Sequence, residues 1–549
     1  MIPHDLKAVA FPRLADAQMA AMGSCPLTTL RSFKAGQKLF EACTRDALFF
    51  VIKVGEVVVL DESGDEPRVV RVSGPGDFIG ELAQLTGGRS LVSAVAQTDC
   101  EVYEVSPDAL KRLINDHPDL GDMILQAFLA RRQLLREPGA LTGLRVIGSR
   151  YSQDTFRVRD FLTKNRQPYT WLDLEGDPGV MELLKQFQVS EADTPVVAWG
   201  RKLILRNPSN SQLAETLGLR ALQEHVVHDL VVVGAGPAGL AAAVYGASEG
   251  LKTLVLERTA PGGQAGRSMR IENYFGFATG ITGAELTERA VVQANKFGAL
   301  LPVGTSVTVL SFDNAYSVLH LEGGDTVTAK CLLIATGADY RLLSVPGCAQ
   351  YEGRGVYYAA TAIEAQICRG SVAVVVGGGN SAGQAAVFLS SQLRTVYLVV
   401  RGDSLYKNMS SYLAQRIEDT ANVKVYVNSE VRRLSGGGYL CEVEIVNNKT
   451  GEVQKLECPA VFSFIGAVPR TEWLPVEIEK DAKGFIRTGP ELAQSPHWRV
   501  KRQPFLLETS RRGVFAAGDA RSGSVKRVAA AVGEGSMAVQ LVHEYLKEM

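Results

Sequence analysis

The sequence predicts a multidomain fold: an antiparallel β barrel with helices, then a small α/β domain, then two α/β domains built on one repeated pattern. Three observations support this order. The chain has 549 residues, more than a single hydrophobic core accommodates. Residues from about 30 to 105 alternate apolar and polar side chains between glycines, as antiparallel strands do. A pattern of apolar strand, glycine turn and small-residue helix occurs at 230–257 and again at 372–401.

The first domain is predicted to span residues 1–138. The segments "FKAGQKLF", "FFVIKVGEVVVL" and "EVYEV" have the alternation of strands that pack one face on a core. Residues 118–136, "PDLGDMILQAFLARRQLLR", have the period of an amphipathic helix, which we expect to close the barrel. The following "REPGALTG" predicts a linker, because proline and glycine interrupt regular structure.

The second domain is predicted to span residues 144–219. "LRVIGS" and "YTWLDL" are predicted strands, and a segment with helical periodicity follows each of them. "TPVVAWGRKLIL" predicts a hairpin, and "SNSQLAETLGL" predicts a last helix that a serine or asparagine caps. The order of elements indicates a small α/β domain.

The repeat that begins at residue 230 has the spacing of a Rossmann-like dinucleotide-binding unit. Gly234 allows the tight turn, Gly236 lets the backbone approach a pyrophosphate, and Gly239 lets the helix pack closely on the strand. The helix N-terminus then faces the phosphates. Glu257 ends the next strand, where a carboxylate accepts hydrogen bonds from ribose hydroxyls. The alternative is a packing turn in an α/β domain that binds no nucleotide.

The second repeat has Gly377, Gly379 and Ala382 in the same three places. Its second strand ends in Arg401 rather than in an acid. A guanidinium pairs with a 2′-phosphate that a carboxylate would repel, which favours NADPH over NADH. NADH remains the alternative donor, because Arg401 at a solvated strand end would recognise no phosphate.

Residues 226–549 resemble the low-molecular-weight thioredoxin reductases, a class of two-dinucleotide-fold flavoproteins. The resemblance rests on the motifs "GAGPAG", "PGGQ", "IENYFGF", "IATGA", "GRGV", "GGGNSA", "FIGAVPRT" and "GVFAAGDAR". It implies an FAD-binding domain at 226–344 and 465–549, and an inserted NAD(P)H-binding domain at 345–464. It also implies a homodimer formed through the FAD-binding domains.

The resemblance further implies which residues bind the two cofactors. For FAD these are Gly234, Gly236, Ala238, Gly239, Glu257, Gly263, Gln264, Asn273, Thr336, Gly337, Gly518, Asp519, Arg527, Val528 and Ala529. For NADPH they are Gly377, Gly379, Asn380, Ser381, Ala382 and Arg401. The family's phosphate motif is incomplete, since Val400, Gly402 and Tyr406 stand where a histidine and two arginines are expected. Lys407 is a candidate substitute.

The redox-active C-x-x-C of the family is absent from this sequence. Ala359 and Ala362 occupy the two places, and alanine supplies no thiolate. We therefore predict no catalytic residue of that kind. Cys368 follows nearby, and we expect it to be a buried small apolar side chain rather than a nucleophile.

Residues 144–219 resemble a thioredoxin or glutaredoxin fold that has lost its dithiol in the same way. Ser149 and Ser152 stand where the thiols are expected, and Thr194-Pro195 matches the position of the cis-proline. Because both dithiol positions lack sulfur, we predict that the protein does not reduce disulfides through cysteines of its own.

The first domain resembles a cyclic nucleotide-binding domain. "FIGELAQLTGGRSLVSA" supplies the candidate ligand-binding residues Gly80, Glu81, Arg89 and Ser90. Glu81 would accept from the ribose 2′-hydroxyl, and Arg89 would pair with the cyclic phosphate. Leu91 stands where alanine is usual. A barrel kept only for dimerisation is the alternative.

Composition excludes several function classes. The net charge of −1 gives no field that attracts nucleic acid or an anionic membrane surface, and no apolar stretch approaches about 20 residues. The N-terminus lacks a signal-peptide pattern. The eight scattered cysteines form no C-x-x-C pair, so we expect neither a metal site nor a disulfide framework. We therefore expect the protein to lie in the reducing cytoplasm.

The predicted function is that of an FAD-dependent NAD(P)H oxidoreductase that passes electrons to an unidentified external acceptor and is regulated by a cyclic nucleotide. Two alternatives remain open. One is a ferredoxin–NADP reductase of the thioredoxin reductase type, which usually carries a C-terminal extension that this sequence lacks. The other is a non-catalytic sensor of cyclic nucleotide and redox state.

Overall fold

The structure is a computed structural model that describes residues 6–42, 44, 48–64, 66–81, 89–90, 92–135, 144–199, 203–220, 222 and 226–549. The chain divides into two compact units. The first comprises residues 1–149, 161–224 and 292–305, and the second comprises 150–160, 225–291 and 306–549. Within the described ranges, every helix is too short or too polar to span a bilayer.

The N-terminal part of the first unit is an antiparallel barrel of two four-stranded sheets, as the alternating pattern predicted. The strand orders are β1-β8-β3-β6 and β2-β7-β4-β5. The strands are β1 (Thr28–Phe33), β2 (Lys38–Phe40), β3 (Phe49–Val54), β4 (Val57–Asp61), β5 (Arg68–Ser73), β6 (Phe78–Ile79), β7 (Ser93–Ala96) and β8 (Cys100–Val105).

Four helices flank this barrel: α1 (Leu6–Ala10), α2 (Asp16–Ser24), α3 (Pro107–Asp116) and α4 (Pro118–Leu134). The predicted helix at 118–136 corresponds to α4, and the predicted linker lies outside the described residues. Apolar side chains of α3 and α4 pack on Phe49 and Phe78 of the barrel to form one core. The two helices thus cover the part of the sheet that β3 and β6 form.

The second sheet of the first unit has four strands in the order β10-β9-β11-β12. They are β9 (Leu144–Gly148), β10 (Tyr169–Asp173), β11 (Val196–Trp199) and β12 (Leu203–Arg206). β9 and β10 are parallel, and β11 runs antiparallel to both β9 and β12. The helices in this part of the chain are α5 (Gln153–Lys164), α6 (Val180–Gln186) and α7 (Asn210–Thr216). The predicted strands, hairpin and last helix are all present.

The second unit contains a six-stranded sheet of order β14-β13-β17-β16-β15, with β28 paired to β17. Its strands are β13 (Val227–Val233), β14 (Thr253–Leu256), β15 (Val307–Asp313), β16 (Tyr316–Leu321), β17 (Thr326–Ile334) and β28 (Val514–Ala516). The parallel strands β14, β13, β17 and β28 end at one edge of the sheet. Helices α8 (Pro237–Ser248) and α13 (Val528–Leu546) pack on it, and α9 (Gly283–Lys296) lies between β14 and β15 in the chain.

A second parallel sheet in the same unit has the order β19-β26-β20-β21-β22. Its strands are β19 (Val356–Tyr357), β20 (Val372–Val376), β21 (Thr395–Val399), β22 (Val423–Tyr426) and β26 (Ala460–Ser463). The meander β23 (Ser429–Gly436), β24 (Leu440–Asn447) and β25 (Val453–Glu457) accompanies it, with helices α10 (Ala362–Ile367), α11 (Asn380–Ser390) and α12 (Ser411–Glu418). β18 (Ala338–Tyr340) precedes this region in the chain and β27 (Ala467–Pro469) follows it. The two strands pair antiparallel with each other.

Helices α8 and α13 approach each other so closely that the contact admits no side chain at one position. A Cβ at Gly535 would lie 2.1 Å from the Ala238 carbonyl oxygen. A Cβ at Gly533, two residues earlier in α13, would have nothing within 4 Å. The two glycines therefore differ in packing although they share one helix.

We expect Gly535→Ala to lower the free energy of unfolding by about 1–3 kcal/mol, because the added methyl overlaps the α8 backbone. Gly533→Ala should raise it by about 0.5–1 kcal/mol, since alanine favours the helix and meets no neighbour. Denaturation followed by circular dichroism measures both variants. Equal effects of the two substitutions would contradict the close α8–α13 contact.

Candidate functional site

The first glycine turn follows β13 and leads directly into α8. Gly234 has φ +103°, and a Cβ there would lie 2.4 Å from the Ala335 carbonyl oxygen. A Cβ at Gly239 would lie 1.9 Å from the Gly234 carbonyl oxygen. Both contacts are with backbone, which cannot retreat as a flexible side chain would. The tight turn and the close helix approach predicted from the sequence are therefore both present.

The middle glycine of the turn, Gly236, lies beside open space. Gly236 caps α8, and the nearest heavy atom to a Cβ built there is the Gly263 Cα at 4.0 Å. Gly263 itself has φ +53°. The N-terminus of α8, with its unpaired N–H groups, thus borders a cradle that can take a phosphate.

Glu257 lies beside this turn at the end of β14 and is buried. Its Oε2 accepts from the Ala235 N–H at 2.8 Å, and its Oε1 accepts from the N–H groups of Thr259 at 2.9 Å and Ala260 at 3.2 Å. These bonds fix the carboxylate next to the glycine turn. These bonds occupy both lone pairs of Oε1 and one lone pair of Oε2.

A buried polar atom marks the neighbouring loop. Gln264 donates from Nε2 to the Ala338 carbonyl at 3.3 Å, whereas its buried Oε1 has no partner among the described residues. Thr336 donates to the Arg470 carbonyl at 2.9 Å, and Arg470 forms a two-pronged ion pair with Asp339. An orphaned acceptor beside an open glycine cradle fits a bound dinucleotide that supplies a donor.

The loop after β28 is held by an acid that the sequence analysis did not single out. Glu534 of α13 accepts from the Gly518 N–H at 2.7 Å and pairs with Arg521 at 2.6 Å. Burial raises the pKa of the Asp519 carboxyl, and the Asp519 carbonyl accepts from the Lys526 ammonium at 2.7 Å. Gly518 and Glu534 are 16 residues apart and form no sequence motif. The hydrogen bond between them could therefore be found only from the fold.

The remaining predicted residues of this first region have simple placements. Ala238 is buried in α8, Gly337 has φ +68°, and Asn273 lies exposed in a loop. Arg527, Val528 and Ala529 form the N-terminal end of α13.

The second glycine turn joins β20 to α11. Gly377 has φ +142°, and a Cβ there would lie 2.6 Å from the Phe464 carbonyl oxygen and 3.1 Å from the Ala382 Cβ. Ala382 is fully buried, which explains why a small residue suffices in the third place. Gly379 caps α11, and the exposed Asn380 accepts from the Ser410 N–H at 2.7 Å. Ser381 follows, exposed, in the first turn of α11.

Arg401 lies at the end of β21 with 85% of its side chain exposed. Its Nε is 3.9 Å from a carboxylate oxygen of Glu430. Tyr406, which stands where the family pattern has arginine, donates to Glu418 at 2.8 Å, and Lys407 is exposed. The sequence identified the cation but not the acid that accompanies it.

The alanine segment is folded as the start of a helix. Ala359 is half-buried, and α10 begins at Ala362. The Thr361 hydroxyl accepts from the Ile363 N–H at 3.3 Å, and the Thr361 N–H donates to the Glu364 carboxylate at 2.8 Å. This is a capping box. Burial raises the pKa of Glu364.

The thiols nearest to this segment are not activated. Cys368, at the end of α10, is buried, and burial raises its pKa to about 12. Burial raises the pKa of Cys458 to about 12 as well. A thiol with so high a pKa stays protonated at neutral pH and is a poor nucleophile. Cys368 is therefore a packed apolar side chain, as predicted.

The two serines at the other predicted dithiol position also have structural partners. The Ser149 hydroxyl donates to the Glu175 carboxylate. Ser152 directly precedes α5, and its Oγ accepts from the Thr155 N–H at 3.2 Å. The Thr194–Pro195 peptide bond is cis, as the resemblance implied.

In the barrel, Glu81 is fully buried and forms an ion pair with Arg131 of α4 at 2.7 Å. Gly80 has φ +94°, and the buried Ser90 donates to the Val92 carbonyl at 2.7 Å. The Arg89 N–H donates to the Leu217 carbonyl at 3.2 Å. Leu91 and residues 82–88 lie outside the described residues.

Two family models match the chain. The pyridine nucleotide-disulphide oxidoreductase model matches residues 228–535, more than half of the 549 residues. The cyclic nucleotide-binding domain model matches residues 30–117. The N-terminal barrel is thus a cyclic nucleotide-binding domain by family.

Similar proteins agree with the first match. A thioredoxin reductase of Treponema pallidum is 36% identical over 320 residues, which cover 58% of this chain and 97% of that protein. One of Bacillus subtilis is 34% identical over 329 residues, covering 60% and 98%. The crystal structure of Lactococcus lactis thioredoxin reductase in its FR conformation is 31% identical and covers 59% and 100%, with a TM-score of 0.53.

Proposed function

The chain belongs to the pyridine nucleotide-disulphide oxidoreductase family and is an FAD-dependent oxidoreductase, and on that premise we propose that it oxidises NAD(P)H and passes the electrons to an external acceptor without a dithiol of its own. The observation that carries the proposal is the capped, sulfur-free start of α10. The cofactor-binding turns keep their glycines, whereas the segment at 359–362 has no group that can carry electrons onward.

In the proposed FAD site, the N-terminus of α8 and the Gly236 cradle hold the pyrophosphate. Glu257 accepts from the ribose, and the orphaned Oε1 of Gln264 accepts from the cofactor. Asp519 would hold the ribityl chain, and the N-terminal end of α13 would border the flavin ring. Bound FAD supplies the hydride acceptor, and the chain's own contribution is to fix it in position and exclude water. We further propose that this region forms a homodimer.

In the proposed pyridine-nucleotide site, the turn from Gly377 to Gly379 and the N-terminus of α11 hold the pyrophosphate. Arg401 provides the charge for a 2′-phosphate. Its neighbour Glu430 opposes that charge, so we propose a modest preference for NADPH with NADH still accepted.

We propose that the cyclic nucleotide-binding domain binds a cyclic nucleotide, with Arg89 and Ser90 at the phosphate and Glu81 at the ribose. Glu81 pairs with Arg131 of α4 through Oε1, whereas its buried Oε2 has no partner among the described residues, so we assign Oε2 as the acceptor for the ribose hydroxyl. Through this shared carboxylate, a bound ligand would be linked to α4. The resulting change in flavin reduction is the proposed regulation.

The purified protein should contain FAD, and NADPH added without oxygen should bleach it. Reduction of insulin through added thioredoxin should be negligible, because Ala359 and Ala362 offer no thiol. Cys368→Ser is the control and should change neither result, since that thiol is buried and protonated. Robust thioredoxin turnover that survives Cys368→Ser would refute the dithiol-free route, and a flavin that NADPH does not bleach would favour the non-catalytic sensor.

Arg401→Ala should weaken NADPH binding by about 1–2 kcal/mol and barely alter NADH, because only NADPH has the 2′-phosphate. The value is at the low end for a charged contact, since Arg401 is mostly exposed. Glu430→Gln should strengthen NADPH binding by removing the opposing charge. Titration of the oxidised protein with each nucleotide measures both variants, and equal losses for the two donors would contradict the assignment.

Saturating cyclic AMP should change the rate of flavin reduction by about 5- to 150-fold, the range of ordinary allosteric coupling. Arg89→Ala should abolish the change, whereas Arg31→Ala, an exposed arginine on β1, should not. Stopped-flow reduction measures the rate, and calorimetry measures binding. No binding of the cyclic nucleotide, or binding without any effect on the rate, would reject the regulatory part of the proposal.

A further inference from the structure

The segment of residues 150–160, which contains the start of α5, belongs with the second compact unit. It includes Ser152, one of the two serines at the predicted dithiol position. Its contacts within that unit are with the chain just before the alanine segment and with the meander.

Aromatic stacking fixes the beginning of the segment. The rings of Tyr151 and Tyr439 lie 5.4 Å apart between centroids, at an interplanar angle of 15°. Gln153 donates from Nε2 to the Glu352 carbonyl at 2.6 Å. Gly353 lies close to the Gln153 side chain, since a Cβ built at Gly353 would lie 3.3 Å from the Gln153 Cγ.

The first turn of α5 continues the contact. The Phe156 ring lies 6.1 Å from that of Tyr357, and Phe156 packs on the apolar cluster that contains Tyr357, Ala360 and Cys368. The negative charge of Asp160 contributes to the raised pKa of the buried Glu364 in α10. A stack, a hydrogen bond and an apolar contact thus hold one short segment along its length.

This contact lies close in sequence to both predicted dithiol positions. Tyr357 comes two residues before Ala359, and Phe156 comes four residues after Ser152. Glu352, Gly353 and Tyr357 precede the alanine segment in the chain and, with Tyr439 of the meander, form one face beside it. That face already carries residues 150–160.

We propose that residues 150–160 permanently occupy this face of the pyridine-nucleotide region, so that a protein acceptor has to approach the enzyme elsewhere. The occupant is a segment of the same chain. The inference goes beyond the proposed electron route, because it concerns a surface and holds whichever acceptor takes the electrons.

The test is a disulfide lock in the full-length protein. An ideal Cβ at Gly353 lies 4.0 Å from the Gln153 Cβ, within the range of about 3.5–4.5 Å that a disulfide spans. Gln153→Cys combined with Gly353→Cys, made in a Cys441→Ser background to remove an exposed thiol, should form an intramolecular disulfide with oxidised glutathione as the oxidant. Each single cysteine variant is the control.

The locked protein should keep both its rate of flavin bleaching by NADPH and its turnover with acceptors within about twofold of the reduced form. Absence of the disulfide in a folded double variant would overturn the proposal. So would loss of turnover with a protein acceptor in the locked form while bleaching is unchanged. If NADPH bleaches neither form, the proposed oxidoreductase activity is refuted. The yield of the disulfide then still decides whether residues 150–160 occupy the face.

A second measurement is needed because Gly353 has φ +70°, where cysteine is strained. Hydrogen exchange of the unmodified protein should show protection of both 150–160 and 352–358. Tyr151→Ala should lower the protection of both segments together, Tyr151→Phe should preserve it, and Tyr245→Ala, an equally exposed tyrosine in α8, should leave it unchanged. Rapid exchange of 150–160 in the unmodified protein would overturn the proposal.

Discussion

The close approach of α8 to its own turn is the constraint on which the proposed FAD site depends. A methyl group at Gly239 would lie 1.9 Å from the Gly234 carbonyl, and one at Gly535 would lie 2.1 Å from the Ala238 carbonyl. Only glycine at both positions lets α8 lie between β13 and α13 at this depth. That depth places the helix N-terminus beside Glu257 and beside the loop that Glu534 holds. The same packing that builds the core therefore positions the groups that bind a nucleotide.

The sequence was sufficient where the chemistry is local. Strand, glycine turn and helix follow each other within about 30 residues, so the two nucleotide-binding units were readable from spacing alone. The capping box of Thr361 and Glu364 is equally local, because its two residues are three positions apart. The ion pairs Glu81–Arg131 and Arg401–Glu430 were not readable, because each joins residues that only the fold brings together. In each pair, a residue predicted to bind a ligand already lies beside an opposite charge.

A hydroxyl caps a helix start at each of the two predicted dithiol positions. Ser152 and Thr361 each use a hydroxyl to accept from a backbone N–H at the start of a helix, α5 and α10 respectively. A hydroxyl in this role stabilises a helix by about 1 kcal/mol, whereas a redox thiol has to be exposed and ionisable. The cysteines that remain nearby are buried and hold their protons. At both places the groups that the structure describes therefore have structural roles.

On the proposed dithiol-free route, a fixed contact near the alanine segment would interrupt no electron transfer. A dithiol relay has to present its sulfur first to the flavin and then to a partner, so the surrounding face has to open during each cycle. Without sulfur at 359–362 that face has no redox task, and residues 150–160 can remain packed on Tyr357 and Tyr439 throughout turnover. An oxidoreductase of this kind would retain both proposed nucleotide sites and would lack a dithiol that carries electrons away from the flavin. On that route the electrons would leave from the bound flavin itself, and the external acceptor would have to reach the flavin directly.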